Sequence, residues 1–206
     1  MTNLFTIYTD EQVKGMNTED IVRAVGLWSK ERMLDTAEPS KQLLKLYEEA
    51  GEIGEAYLTE DKEELKDAFG DTLVVLTVLS TQVFKNKNFS EKYVFYGLHD
   101  KLVDIASSKV VNNKLPNTLE ELLMMLLESF GNISSVIARN QTGEYSDEET
   151  KVLWESVYNS SACIFEMAQH MEVEGGALGS LKYAYNVIKH RKGKLIDGVF
   201  VKESDL

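Results

Sequence analysis

Apolar residues recur every three or four positions along most of this chain, which is the spacing of one face of an α-helix. The 206 residues include only two prolines, and long stretches carry no strong helix breaker. The pattern predicts an all-α protein. Helices are expected at about residues 18–33, 41–58, 61–84, 91–110, 118–139, 149–171 and 181–190. A turn at Asp197 and Gly198, followed by the short β-prone stretch 199–201, is expected near the end of the sequence.

Capping residues and glycines suggest where several of these helices begin. Thr18, Ser40 and Thr118 stand where N-caps are expected, and Glu121 follows Thr118 at the spacing of a capping box. Glycines at 175, 176 and 179 are expected to interrupt the chain before the last helix. The second helix has a core-facing stripe of apolar side chains, predicted to be Leu43, Leu46, Tyr47, Ala50, Ile53 and Tyr57.

The sequence contains an internal similarity at an offset of 80 residues. "LYEEAGEIGEAYL" aligns with "LLESFGNISSVIA", and Ser129 and Asn132 replace the acidic residues Glu49 and Glu52. We interpret this as a bundle of two related helical hairpins within one domain, 1–206. The first half, about 17–110, carries the acidic residues, and the second, about 117–206, is a degenerate repeat with a basic C-terminal tail. Chance similarity between two amphipathic helices is the alternative.

Five carboxylates in the second and third helices are the most informative group of polar residues: Glu48, Glu49, Glu52, Asp67 and Asp71. Within each helix, three- or four-residue spacing places side chains on one face, where like charges repel. Asp71 directly precedes the apolar stretch 72–79, where an unpaired buried carboxylate would be costly. A divalent cation is the simplest counter-charge. The arrangement therefore predicts a magnesium site between two helices, which is typical of phosphate chemistry.

A simpler interpretation of the same residues is an acidic, solvated helix face. Glu64, in the first turn of the third helix, is the carboxylate that fits this interpretation best. On that view the chain is a non-catalytic helical interaction protein. The two interpretations differ in whether magnesium and a nucleotide stabilise the protein.

Composition excludes several other classes of function. A net charge of −12 argues against a general binder of nucleic acids or membrane surfaces, because both are polyanionic. The single cysteine, Cys163, excludes an intrachain disulfide, and the first residues lack the basic start of a signal peptide. We therefore expect a cytoplasmic protein, or one of the host cytoplasm if it is phage-encoded. The three histidines do not have zinc-ligand spacing, and no G-x-x-x-x-G-K loop occurs.

Two segments carry a family resemblance. "QLLKLYEEAGEIGEAY" followed by "ELKDAFGDTLVVL" resembles the MazG-type all-α nucleoside triphosphate pyrophosphatases, whose pattern is E-E-x-x-E, a spacer, then E-x-x-D. The closing "YNVIKHRKGKLIDGVFVKESD" resembles the tail of phage-encoded members. Together with "WSKERMLD", these segments cover about half of the chain, and residues 90–175 carry no matching motif.

The resemblance implies a reaction and a set of acidic site residues. Such enzymes hydrolyse (deoxy)nucleoside triphosphates between the α- and β-phosphates with Mg²⁺, or Mn²⁺ as a substitute. Glu49 and Glu52 would be metal ligands, and Asp71 would close the second motif. Glu48 and Glu49 would be the catalytic carboxylates, and Glu48 would either be a further metal ligand or orient the attacking water. The chain departs from the pattern at Ala68, and Asp67, one residue earlier, is the candidate replacement for the missing glutamate.

The resemblance also implies basic and polar residues that bind the substrate, a small-molecule nucleoside triphosphate. The candidates on the acidic helix and at the end of the last helix are Gln42, Lys45, Asn186, Lys189, Arg191, Lys192 and Lys194. Basic residues also favour helix C-termini for electrostatic reasons alone, so capping is the alternative role for the second group. Trp28 and Arg32 could border the base, although Trp28 fits the core. We also expect a homodimer, which the sequence does not require. An alarmone or another diphosphate metabolite is the alternative substrate.

Overall fold

The computed structural model describes residues 7–84, 94, 118–140, 144–191, 193–196 and 199–202. Its helices are α1 (Asp10–Gly15), α2 (Thr18–Glu31), a 3-10 turn (Leu34–Thr36), α3 (Pro39–Thr59), α4 (Lys62–Val83), α5 (Leu119–Arg139), α6 (Asp147–His170) and α7 (Gly176–Ile188). Strands β1 (Gly193–Ile196) and β2 (Val199–Lys202) form an antiparallel hairpin. The all-α prediction is confirmed, with this hairpin as an addition. Of the helix predicted at 91–110, only Val94 is among the described residues, and it is helical and buried. The turn at Asp197 and Gly198 lies outside them.

Two of the three predicted N-caps are wrong by one or two positions. Asn17, not Thr18, caps α2, because its side chain accepts a hydrogen bond from the Asp20 N–H at 2.9 Å. Helix α3 begins at Pro39, whose fixed φ suits a first helical position, so Ser40 is already inside the helix. Thr118 caps α5 as predicted, accepting from the Glu121 N–H at 3.2 Å.

The last helix, α7, starts at Gly176 rather than at 181, because the glycines there open the helix instead of interrupting it. Gly175 and Gly176 have φ angles of 76° and 61°, in the left-handed region that favours glycine. Gly179 lies within the helix, and a Cβ on it would come within 2.9 Å of the Glu174 carbonyl oxygen. The missing side chain lets the preceding loop pack directly on the first turn.

Helix α4 is the central element of the described structure. It packs against α2, α3, α6 and α7, and every residue from Thr72 to Val83 is buried. Its buried hydroxyls donate to carbonyls of their own helix, as from Thr72 to Ala68 and from Thr77 to Leu73, at 2.7 Å each. Gln82, near the end of the helix, donates through Nε2 to the Leu34 carbonyl at 2.8 Å and so ties α4 to the 3-10 turn. The acidic side chains of α4 all lie in its first half.

Four of the helices form two helical hairpins, α3 with α4 and α5 with α6. The two-residue connection Glu60–Asp61 makes α3 and α4 antiparallel neighbours, and α5 packs on α6 in the same way. Tyr47, predicted to face the core, is 42% exposed; its hydroxyl lies 2.8 Å from Ser134 Oγ on α5. In the described part of the chain, α5 alone is long and apolar enough to cross a membrane. It buries Leu126 and Phe130 in the common core, as a core helix of the same composition does.

Candidate metal and nucleotide site

Glu49 is a carboxylate held in the protein interior. Leu46, Ala50 and Ile53 turn one side of α3 into the core, and Glu49 lies at the edge of that side, with 7% of its surface exposed. Its Oε2 has no hydrogen-bond partner in the described structure. Burial raises the pKa of Glu49 to about 8, with further contributions from the negative charges of Asp71 and Glu52 and from a hydrogen bond with Glu52.

Asp71 faces this carboxylate from α4. It is partly buried, at the point where the fully buried half of α4 begins. Burial raises its pKa to about 6, and repulsion by Asp67 and Glu52 acts in the same direction. The charges of Arg191 and Lys45 oppose this shift. Carboxylates from two helices thus form one electrostatically coupled group, which we call the acidic cluster: Glu49, Glu52, Asp67 and Asp71.

The acidic cluster fits a hard divalent cation by its chemistry. Among the described residues, no three or more His, Cys, Asp or Glu side chains are already arranged around a common ion position. The cluster nevertheless contains a buried carboxylate oxygen without a partner and several mutually repelling charges. Oxygen ligands of this kind are those that Mg²⁺ and Mn²⁺ prefer, and a cation would neutralise the repulsion.

The departure from the family pattern at Ala68 has a packing explanation. Ala68 is 1% exposed and belongs to the hydrophobic core, where a carboxylate would be costly. Asp67 is only partly buried, and its charge raises the pKa of Asp71, so it lies at the acidic cluster. Glu64 is exposed in the first turn of α4, where its N–H donates to the Asp61 carboxylate at 3.1 Å.

The remaining predicted residues of α3 lie around the cluster. Glu48 is exposed, and its Oε2 accepts a hydrogen bond from Lys45 Nζ at 2.5 Å. Gln42 is partly buried and precedes Glu49 by seven residues, which is two helical turns on the same face. The solvent side of the acidic cluster therefore carries a carboxylate, an ammonium group and an amide.

The basic residues after α7 separate into two groups. Lys189 is 1% exposed, and its ammonium group donates to the Asp10 carboxylate and, at 2.7 Å, to Asn186 Oδ1. These contacts turn Lys189 and Asn186 toward α1. Arg191 instead acts electrostatically on Asp71. Lys192 and the side chain of Lys194 lie outside the described residues.

A close helix crossing brings Arg191 to the acidic cluster. A Cβ on Gly70 would lie 2.3 Å from the Ser180 carbonyl oxygen and 2.9 Å from the Ala184 Cβ, so the backbones of α4 and α7 nearly touch. Gly70 directly precedes Asp71. The end of α7 therefore passes beside the cluster, a long-range arrangement that no local motif in the sequence indicates.

Trp28 and Arg32 hold the segment that follows α7. The Trp28 indole is buried, and its Nε1–H donates to the Ile188 carbonyl at 3.2 Å. Arg32 donates through Nη1 to the Trp28 carbonyl and through Nη2 to the carbonyls of Lys189 and Arg191, at 3.3 Å each. The sequence suggests a place beside the base for both residues, with the core as the better fit for Trp28, and the Trp28 indole is indeed in the core. Their i, i+4 spacing is the only feature of the sequence that links the two residues. In the structure both side chains donate to backbone carbonyls at and after the end of α7.

A carboxylate cluster between two antiparallel helices offers the oxygen ligands that hard divalent cations prefer. Comparison with known proteins is more specific. Residues 37–105 match the model of the MazG nucleotide pyrophosphohydrolase domain. The matched residues include α3 and α4. The predicted resemblance is thereby confirmed for this part of the chain. The match supports a hydrolase acting on pyrophosphate bonds of nucleotides, a group of enzymes that generally depends on divalent metals.

A relative from a phage shows a similar partial match. The chain is 29% identical over 65 residues to an uncharacterized 18.2 kDa protein in the rep-hol intergenic region of Haemophilus phage HP1. This stretch is 31% of the present chain and 40% of the relative. No solved structure matches significantly.

Proposed function

We propose that this protein is a Mg²⁺-dependent (deoxy)nucleoside triphosphate pyrophosphohydrolase that produces a nucleoside monophosphate and pyrophosphate. The observation that carries this proposal is the buried carboxylate of Glu49, whose Oε2 has no hydrogen-bond partner, within the acidic cluster and in the segment that matches the pyrophosphohydrolase domain. A group in this environment is costly unless a cation joins it.

Glu49, Glu52, Asp67 and Asp71 would hold the cation. When bound, Mg²⁺ neutralises phosphate charge and lowers the pKa of a nearby water. Lys45 and Arg191, the two basic residues that act on Asp71, would contact the remaining phosphate oxygens. Positive side chains on both sides of an acidic cluster are needed because a triphosphate would otherwise be repelled by it.

The proton of the attacking water would pass to a carboxylate oxygen of Glu48, which is exposed on the rim of the cluster. The water oxygen adds to one of the two phosphorus atoms that flank the α,β-bridging oxygen. The bond from that phosphorus to the bridging oxygen breaks, and the products are the monophosphate and pyrophosphate. Lys45 Nζ, which donates to Glu48 Oε2 at 2.5 Å, would orient this carboxylate for its role as base.

The other features of the proposal concern the whole chain. We propose a single MazG-like domain of two related halves that acts in the cytoplasm, or in the host cytoplasm if the protein is phage-encoded. We also propose a homodimer, with a small nucleotide rather than a nucleic acid or a membrane as the partner. The acidic net charge supports the latter.

The direct test is turnover of each deoxynucleoside triphosphate with Mg²⁺, followed by measurement of monophosphate and pyrophosphate. Glu52→Gln should abolish turnover, whereas Glu55→Gln, an exposed residue of the same helix, should leave it unchanged. In H₂¹⁸O, label in the monophosphate or in pyrophosphate identifies the phosphorus attacked. Release of a nucleoside diphosphate and phosphate would contradict the proposed cleavage position.

Non-catalytic interaction is a second candidate function. It is favoured by the buried Ala68 in place of a motif glutamate and by a ligand set that is not assembled around an ion position. A thermal melting experiment separates the two candidates. The enzyme should be stabilised by Mg²⁺ together with a non-hydrolysable nucleotide, and an interaction protein with a merely acidic face should not.

A further inference from the structure

We propose that Arg32 is a positioning residue that fixes the backbone after α7 and thereby holds the Arg191 guanidinium at the acidic cluster. This inference rests on the proposed function, in which Arg191 contacts substrate phosphate. Arg32 lies just beyond the end of α2, far from Arg191 in sequence, and the described contacts join its guanidinium to backbone carbonyls rather than to the carboxylates of the cluster.

The last carbonyls of a helix have no partner within it, so donors from other elements can hold its end. Two residues of the α2 region supply them. Trp28 donates to the Ile188 carbonyl at 3.2 Å, and Arg32 donates to the carbonyls of Lys189 and Arg191 at 3.3 Å. The carbonyl of Arg191 itself is therefore one of the held groups.

The guanidinium of Arg32 is fixed in its own position. It lies 4.8 Å from the centre of the Trp28 ring and donates to the Trp28 carbonyl at 3.3 Å. Its side chain is 15% exposed and lies 3.9 Å from the Glu31 carboxylate. A planar group that is stacked on one side and hydrogen-bonded at its edge can hold two carbonyls in a constant geometry.

Two anchors then determine where Arg191 lies. Gly70, which has no side chain, allows α7 to pack closely on α4 beside Asp71, and Arg32 binds the backbone just after α7. Without the second anchor, Lys189 would keep its contacts with Asp10 and Asn186, but the Arg191 carbonyl would lose the donor that Arg32 provides. The residues after Lys189 would then fray. The effect on catalysis would come from displacement of Arg191, to which phosphate-transfer sites are sensitive.

Lysine cannot replace arginine in this role, because one ammonium group cannot stack on an indole and bridge two carbonyls in a fixed plane. We expect Arg32→Lys to raise KM for the triphosphate on the order of 10-fold or more, with a smaller change in kcat. Arg23→Lys is the matched control. Arg23 pairs with Glu19 at 2.9 Å on the exposed surface of α2, and its replacement should leave both constants unchanged.

A double-mutant cycle tests whether Arg32 acts through Arg191. Arg191→Gln should raise KM at least as much as Arg32→Lys, and the double variant should be no worse than Arg191→Gln alone. If the Arg32 substitution has its full effect in the Arg191→Gln background as well, the positioning role is wrong. Equal losses in Arg23→Lys would overturn it too.

A second measurement keeps the inference testable if the protein turns over no nucleotide at all, which would refute the proposed function. The Arg191 Nε–H signal in the nitrogen NMR spectrum, assigned from its loss in Arg191→Gln, should shift in Asp71→Asn, because the two groups interact. In an Arg32→Lys background, Asp71→Asn should leave that signal unchanged. An undiminished shift would show that Arg191 keeps its place without Arg32, against the inference.

Discussion

The two helical hairpins of this protein have the same burial pattern and different chemistry. Between α3 and α5, at an offset of 80 residues, Leu46 corresponds to Leu126 and Ile53 to Ile133, and all four are buried. Between α4 and α6 the offset is 88, with Thr72 opposite Ser160. Both hydroxyls are buried and donate to the carbonyl four residues earlier, at 2.7 Å in each helix. This agreement supports two related halves.

The hairpins differ at the positions of the acidic cluster. Ser129 stands where the first hairpin has Glu49 and is equally buried, but its hydroxyl donates to the Met125 carbonyl at 2.9 Å. Asn159 and Asn132 replace two further carboxylates. Glu155, the counterpart of Asp67, lies 3.7 Å from Lys151. Three of the four carboxylates of the acidic cluster are thus neutral side chains in the second hairpin, and the fourth is paired with a lysine. This difference is consistent with a functional role for the cluster, as proposed.

Exchanging residues between the hairpins should have its largest effect at Glu49. We expect Glu49→Ser, which installs the residue of the second hairpin, to reduce kcat/KM at least about 100-fold, because a lost metal ligand removes several kcal/mol of charge stabilisation. Ser129→Ala, at the matching position, should leave turnover unchanged. Equal activity of Glu49→Ser and the unmodified protein in a pyrophosphate assay would remove Glu49 from the site.

The buried charge of Glu49 should also make stability depend on pH when a chelator removes divalent metals. Its pKa is raised from 4.5 to about 8, so the folded state binds a proton that the unfolded state has released. The resulting stability is complete below about pH 4.5 and is lost as the pH rises through 8. Urea unfolding in EDTA should show a decrease on the order of a few kcal/mol between pH 5 and 8.

Glu49→Gln should remove most of that pH dependence, whereas Glu48→Gln, an exposed neighbour, should retain it. Addition of Mg²⁺ at pH 8 should restore stability in the unmodified protein and not in Glu49→Gln. A stability that stays constant from pH 5 to 8 in EDTA would mean that Glu49 is ionised without cost, and that the two hairpins do not differ in the way described.

Gly70 marks a further difference between the hairpins, because it is the point at which α7 comes closest to α4. The corresponding residue of α6 is Tyr158, whose side chain would prevent such an approach. Gly70→Ala should destabilise the protein by about 1–3 kcal/mol, because its Cβ would meet the Ser180 carbonyl oxygen at 2.3 Å. It should also raise KM by displacing Arg191. Chemical unfolding and steady-state kinetics measure both effects, and unchanged values would mean that α7 does not cross α4 there.

The sequence predicted the elements of the first hairpin and its carboxylates because both depend on local spacing. Glu49, Glu52 and Asp71 follow from helical periodicity beside an apolar stretch, and α3 and α4 keep that periodicity in the structure. The basic side of the site was harder to predict. Lys189 and Arg191 are two residues apart in one basic run, yet one contacts Asp10 and the other acts on Asp71. The packing of α7 on α4, which the sequence does not reveal, directs these two side chains to different acidic groups.

The smallest expected effect is one that the two hairpins should share. Gly51 and Gly131 occupy corresponding exposed positions of α3 and α5, and a Cβ on either would meet no atom within 4 Å. Alanine loses less backbone entropy than glycine in a helix, so Gly51→Ala and Gly131→Ala should each stabilise the protein by roughly 0.5–1 kcal/mol. The double variant should gain about the sum, since neither added Cβ would meet a neighbouring atom and independent changes add. Destabilisation by only one of them, measured by urea unfolding, would show that the surfaces of α3 and α5 are not equivalent.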